Sequence, residues 1–117
     1  MNSRDQGAQA EQAAEEYLKG RGMRILDRNF RARCGEIDLV AQDGDTIVFV
    51  EVRSRSDVSF GRPEETVGPV KRRRIVRTAA LYAQIRGLDA PMRFDVVALS
   101  PKGLEHIPEA FDATGLL

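Results

Sequence analysis

Apolar residues recur along this chain at two spacings. Ala10, Ala14, Tyr17 and Leu18 fall at helical intervals and predict a first helix over roughly residues 5–19, ended by Gly20 and Gly22. A strand is expected near 23–30. Residues 35–42 and 46–55 alternate as strands do and flank Asp43-Gly44, a strong hairpin signal. Residues 56–67, with Gly61 and Pro63, read as an irregular loop. A second helix is predicted from Pro69, a residue suited to the first helical position, to about Arg86, with Ile75, Ala79, Tyr82 and Ala83 on one stripe. Gly87 and Pro91 close it. Residues 93–99 form a further strand, entered after a helix and therefore expected to lie parallel to the 46–55 strand through a right-handed crossover. A short last strand is expected over 104–107. The order α-β-β-β-α-β-β predicts an α/β fold, with a mixed central β-sheet flanked by helices, in one domain over 1–117.

Composition narrows the chemistry. No apolar run approaches the ~20 residues of a membrane span, and the polar start, Met1 to Ala10, is no secretory signal. Cys34 is the only cysteine and His106 the only histidine, so neither an intrachain disulfide nor a structural zinc site can form. The lone cysteine fits a cytoplasmic setting. With one histidine in a tail segment, hydrolytic chemistry would rest on carboxylates and a bound metal. Net charge is zero, but the charges stand in blocks. Residues 21–35 hold five arginines against Asp27, residues 36–51 hold only acids, and residues 68–86 hold six cations and no acid. The last 31 residues are net acidic. A zero total argues against indiscriminate coating of nucleic acid, while the blocks leave room for an anion-binding face beside a cation-binding cluster.

Strand parity groups the acids. Glu36, Asp38 and Val40 share one face of their strand, and Ile37, Leu39 and Ala41 the other. In the next strand Val48, Val50 and Val52 are apolar, while Ile47, Phe49, Glu51, Arg53 and Arg55 point the opposite way. A two-residue turn at Asp43-Gly44 sets Glu36 against Glu51 and Asp38 against Phe49, so that Glu36, Asp38, Glu51 and Arg53 project together away from the turn; a three-residue turn would break this parity. Opposed carboxylates destabilise a sheet unless something relieves them. Mg²⁺ would do so, taking one or two carboxylates and keeping waters for a phosphate. The alternative is a solvated sheet edge with Arg53 and Arg55 as ordinary ion-pair partners. Glu11 borders the buried stripe of the first helix and could reach the same face, as could Glu15, or either could be a surface glutamate.

Lys71, Arg72, Arg73 and Arg74 open the second helix, where the helix dipole disfavours cations. A phosphate bound there would reverse that cost; a solvated charge run is the alternative. Aromatic residues are few and Trp is absent, so backbone contacts are expected rather than base stacking.

Gly35-Glu36-Ile37-Asp38-Leu39-Val40 and Val48-Phe49-Val50-Glu51-Val52-Arg53 resemble the YraN family of bacterial proteins. The likeness extends through Gly7, Glu11, Tyr17-Leu18, Asn29, Phe60-Gly61, the Lys71–Arg74 run and Arg93-Phe94-Asp95-Val96-Val97. That resemblance implies a PD-(D/E)XK nuclease fold related to archaeal Holliday junction resolvases. It implies Asp38 and Glu51 as ligands of Mg²⁺ or Mn²⁺ and Glu11 as the helix acid completing the site. Glu36 has no fixed role but stands beside them. Two departures matter: Ile37 precedes Asp38 where the pattern has proline, and Arg53 stands where it has lysine. Arginine stays protonated and cannot act as a base, although it can orient water or clamp a phosphate oxygen. The expected activity is metal-dependent endonucleolytic cleavage of DNA in preference to RNA, branched or structured DNA included, with Asp38, Glu51, Arg53 and Glu11 catalytic and Lys71, Arg72, Arg73, Arg74 and Arg55 holding phosphates. A catalytically weak or inactive binding module on the same scaffold is the alternative, and a protein-interaction role a third. Resolvase-like relatives act as homodimers, although nothing in the sequence marks a dimer surface.

Overall fold

The computed structural model describes residues 3–54 and 67–113, with side chains from residue 7 onward. Its elements are α1 (Ser3–Gly20), β1 (Arg24–Ala32), β2 (Gly35–Asp43), β3 (Thr46–Ser54), α2 (Pro69–Arg86), β4 (Met92–Ser100) and β5 (Gly103–Phe111). The five strands form one sheet in chain order. β3 and β4 run parallel and the other neighbouring pairs antiparallel. This is the mixed α/β sheet that the element order predicts, and it is consistent with a nuclease-like core. Arg55, Phe60-Gly61 and the loop expected over residues 56–66 lie outside the described residues. Among the described residues no helix is long and apolar enough to cross a membrane.

Alternation along the strands gives the sheet two apolar faces, each covered by one helix. Ala14 and Leu18 of α1 pack on Leu39, Ala41, Val48, Val50 and Val97. Ile75, Val76, Ala79 and Tyr82 of α2 pack on Val40, Ile47, Phe49, Phe94 and Val96. α2 starts and stops where its punctuation predicts: Pro69 is at its first turn, and Gly87, at φ 64°, gives its N–H to the Ala83 and Gln84 carbonyls.

Three expectations are corrected. The last strand is longer than residues 104–107, because β5 continues through Pro108 on the sheet edge, where a missing N–H is tolerated. The hairpin turn falls on Gly44 and Asp45, since Asp43 pairs with Thr46. Gly44, at φ 60°, takes the first central position, as two-residue hairpin turns favour. The register therefore moves by two residues: Val40, not Asp38, opposes Phe49. Strand parity survives a shift of two.

The third correction concerns β2. Leu39 and Ala41 face α1, but Ile37 joins the cluster under α2. The paired strand does the same: Arg28 meets Glu15 of α1, whereas Phe30 packs on the α2 side. Between them stands Asn29 in the left-handed region at φ 50°. Asp38 occupies the rung facing Asn29, between the pairs Arg28↔Leu39 and Phe30↔Ile37. A left-handed residue interrupts the pleat, and the alternation of both strands breaks there.

Candidate functional site

The break places Asp38 where β2 and β3 separate. Their pairing ends at Leu39↔Val50, so the next residues along the two strands are Asp38 and Glu51. The Asp38 carboxylate supplies a rung in place of a backbone carbonyl, with Oδ2 accepting the Val52 N–H at 2.8 Å. Glu51 points to the α2 side with Ile47 and Phe49 and is only 7% exposed. Both acids line a cleft of about 840 Å³ between the β1–β2 hairpin and the first turns of α2. Burial first, then the Glu51 carboxylate, pushes the Asp38 carboxyl up to about 7. Glu11 adds to that rise, while the Val52 N–H works against it.

Lys71 reaches Glu51 from α2, its Nζ 2.9 Å from Glu51 Oε1. Arg53, two residues along β3, stands further off, its Nε 3.9 Å from that oxygen. The rest of the basic run disperses. Consecutive helical residues project ~100° apart, so four in a row cannot share a face. Arg74 lines the cleft with Lys71. Arg72 turns away, its Nε donating to the Val67 carbonyl at 2.6 Å and its guanidinium lying 5.2 Å from the Phe111 ring centroid. Arg73 is exposed and shares a stripe with Arg77, four residues on.

The opposite wall is the β1–β2 hairpin, which brings Arg31 and Glu36 to the cleft. Glu36 pairs with Arg31 at 3.2 Å in an exposed contact. The hairpin tip sits directly on α2. A Cβ on Gly35 would meet Thr78 Oγ1 at 3.0 Å and Arg74 Cβ at 3.3 Å, so only glycine fits without displacement. Exposed Arg31 and Arg33 on this arm and Arg77 on α2 extend the basic surface beyond the run singled out in the sequence. The periodicity of α2 could have identified Arg77; the docking of the hairpin tip leaves no local sequence signal.

The two helix glutamates separate clearly. Glu15 is held by Arg28 and by Lys19 at 3.1 Å, and chiefly its bond to Arg28 draws its carboxyl down to about 2. Glu11 lines a second hollow with Gln12, Arg28 and Asn29 on the α1 side. It thus approaches Asp38 from the side opposite Glu51. Among the described residues no three His, Cys, Asp or Glu side chains gather closely enough to hold a metal ion. The donor set nonetheless suits one: the buried Glu51 and half-buried Asp38, mutually repelling carboxylates, offer the hard oxygen ligands that Mg²⁺ or Mn²⁺ takes, with waters filling the remaining positions.

A second buried acid lies apart from the cleft. Asp95 is fully buried on β4. Arg93 donates to both its oxygens at 2.9 and 3.0 Å, His106 Nε2 stands at 2.7 Å, and the Glu109 N–H reaches it at 3.1 Å. The Tyr17 hydroxyl meets His106 Nδ1 at 3.2 Å, joining α1 to β5. His106, the one histidine, thus belongs to a packed network.

The model of the Uncharacterised protein family UPF0102 matches residues 10–99. The chain belongs to the UPF0102 family. Similar UPF0102 proteins include those of Anaeromyxobacter dehalogenans (51% identical, covering 93% of this chain and 85% of the relative) and Geotalea uraniireducens (47%, covering 91% and 88%). The UPF0102 protein of Chromohalobacter salexigens is 46% identical over 96% of this chain and 94% of its own. The YraN resemblance read from the sequence points to this same family.

Proposed function

We propose that this UPF0102 protein is a metal-dependent endonuclease that hydrolyses phosphodiesters of DNA, branched or structured DNA among its substrates, in the cytoplasm. One observation carries it: Asp38 and Glu51 meet in an open cleft while desolvated and of like charge, an arrangement that costs stability and that a divalent cation relieves. Asp38 and Glu51 would hold Mg²⁺ or Mn²⁺, with Glu11 acting from the α1 side. When bound, the ion would supply Lewis acidity toward a phosphoryl oxygen. The chain's own residues do the rest. Arg53 stands near Glu51 as a fixed positive charge for the phosphate. Arg74, with exposed Arg31, Arg33, Arg73 and Arg77, offers a basic surface around the cleft for flanking phosphates. A homodimer would let two such clefts cut opposed strands of a four-way junction.

The test is a cleavage panel over linear, flapped and four-way DNA and matched RNA, with Mg²⁺ or Mn²⁺. Asp38→Ala and Glu51→Ala should abolish metal-dependent product while keeping the wild-type circular dichroism spectrum. Cleavage that survives in clean Asp38→Ala protein removes the assignment. A second reading is favoured by Arg53 at the motif lysine position: a binding module with little turnover. It would bind DNA in a salt-sensitive manner and give no product with any divalent metal.

A further inference from the structure

We infer that Lys71, from helix α2, is the cation that acts on the attacking water and the reacting phosphate, in the place that a strand lysine would take and that Arg53 occupies in the sequence. The inference rests on the nuclease reading above. Three observations carry it. Lys71 Nζ is 2.9 Å from Glu51 Oε1, against 3.9 Å for Arg53 Nε. Lys71 lines the cleft that holds Asp38 and Glu51, whereas Arg53 is not among its lining residues. The Lys71 side chain is 44% exposed and that of Arg53 27%, so the ammonium sits at the solvent-open side of the acids, where a substrate would arrive.

The chemistry suits an ammonium group on a flexible stem. It carries three N–H donors, and one bond to Glu51 leaves two for a water and a phosphate oxygen. During hydrolysis the water oxygen bonds to phosphorus as the bond from phosphorus to the leaving sugar oxygen breaks. The water proton passes to solvent, and the leaving oxygen takes a proton from solvent. Lys71 keeps its protons throughout; it orients the water and offsets the charge growing on the phosphoryl oxygens. Lys71 also holds the very oxygen that a cation would seek. It therefore competes with the ion for Glu51 in the free protein and turns to the phosphate once the ion is in place.

These two tasks give Lys71→Gln effects of opposite sign. Its cleavage rate should fall about 10²-fold, the usual cost of removing a donor aimed at developing charge. Its affinity for Mn²⁺ in titration calorimetry, without substrate, should rise roughly two- to fivefold as a competing ion pair, open to solvent on its Lys71 side, is lost. Lys71→Arg, which keeps the charge, should keep wild-type Mn²⁺ affinity and confirm that the position tolerates substitution. Wild-type cleavage by Lys71→Gln, or unchanged Mn²⁺ affinity, would overturn the inference. If the wild-type chain cuts nothing, the nuclease reading fails and the assignment of Lys71 to the reaction fails with it; the calorimetric comparison separately decides whether Lys71 guards Glu51.

Discussion

Asp38 and Asp95 are both aspartates of central strands drawn out of water, and the protein treats them in opposite ways. Asp95 is given a bidentate arginine, a histidine and a backbone N–H; although burial alone would raise its pKa, these bonds hold the carboxyl below its ordinary value. Asp38 is given one backbone N–H and two neighbouring carboxylates, and it is pushed up to about 7. The first arrangement satisfies every demand of a buried charge and leaves nothing to bind. The second gives Asp38 no ion pair of its own among the described residues and opens onto a cleft. An acid drawn partly out of water, with no cation paired to it among the described residues and open space beside it, is the better guide to function than buried charge in general.

The contrast can be broken most sharply by neutralising each acid in metal-free protein. Asp95→Asn removes the charge that faces the Arg93 guanidinium, leaving it the outer contact to Asp43, and should lower stability by about 3 kcal/mol or more in urea melts, as truncating one side of a buried pair does. Asp38→Asn should leave stability unchanged or raise it, because it removes the repulsion with Glu51. A large loss in Asp38→Asn would mean that Asp38 is a structural residue.

Acidity sharpens the same comparison. A carboxyl whose pKa is raised by folding favours the native state below its unfolded value and loses that contribution as pH rises through the folded value. Melts in EDTA should therefore show the Asp38 contribution fading between about 3.8 and about 7, and Asp38→Asn should flatten that slope. Asp95 works the other way: its contribution is present above 3.8 and is lost as pH falls below it through the lowered folded value, so Asp95→Asn should flatten the acid limb instead. The smallest effect should be that of Tyr17→Phe, which loses one hydrogen bond to His106, at about 1 kcal/mol. A loss several times larger would make this contact the main anchor of α1.

The parts of this architecture written in local periodicity were legible. Helix α2 begins and ends at the residues its proline and glycine mark, and a two-residue hairpin turn joins β2 to β3 one residue past the expected Asp43-Gly44. That Asp38 and Glu51 come near each other at the end of the strands away from the turn was also legible, and both line one cleft, although the strict alternation that suggested it breaks at Asp38. What escaped depends on contacts distant in sequence. The left-handed Asn29 moves Ile37 to the α2 side, and no composition rule announces it. Arg72 belongs to Phe111 and Val67 although it stands amid a run that reads as one basic patch. His106 seemed stranded in a tail segment because the alternation Arg93-x-Asp95, its partner in space, lies on another strand.

The bond from the Val52 amide to Asp38 has a practical consequence. Its proton sits on a carboxylate instead of a peptide oxygen, and its resonance will follow any change in the charge of that group. In uniformly ¹⁵N-labelled protein titrated with Mg²⁺, the Val52 cross-peak should be among the first to move. The sheet thus carries a probe of the proposed cation site that needs no substrate to be read.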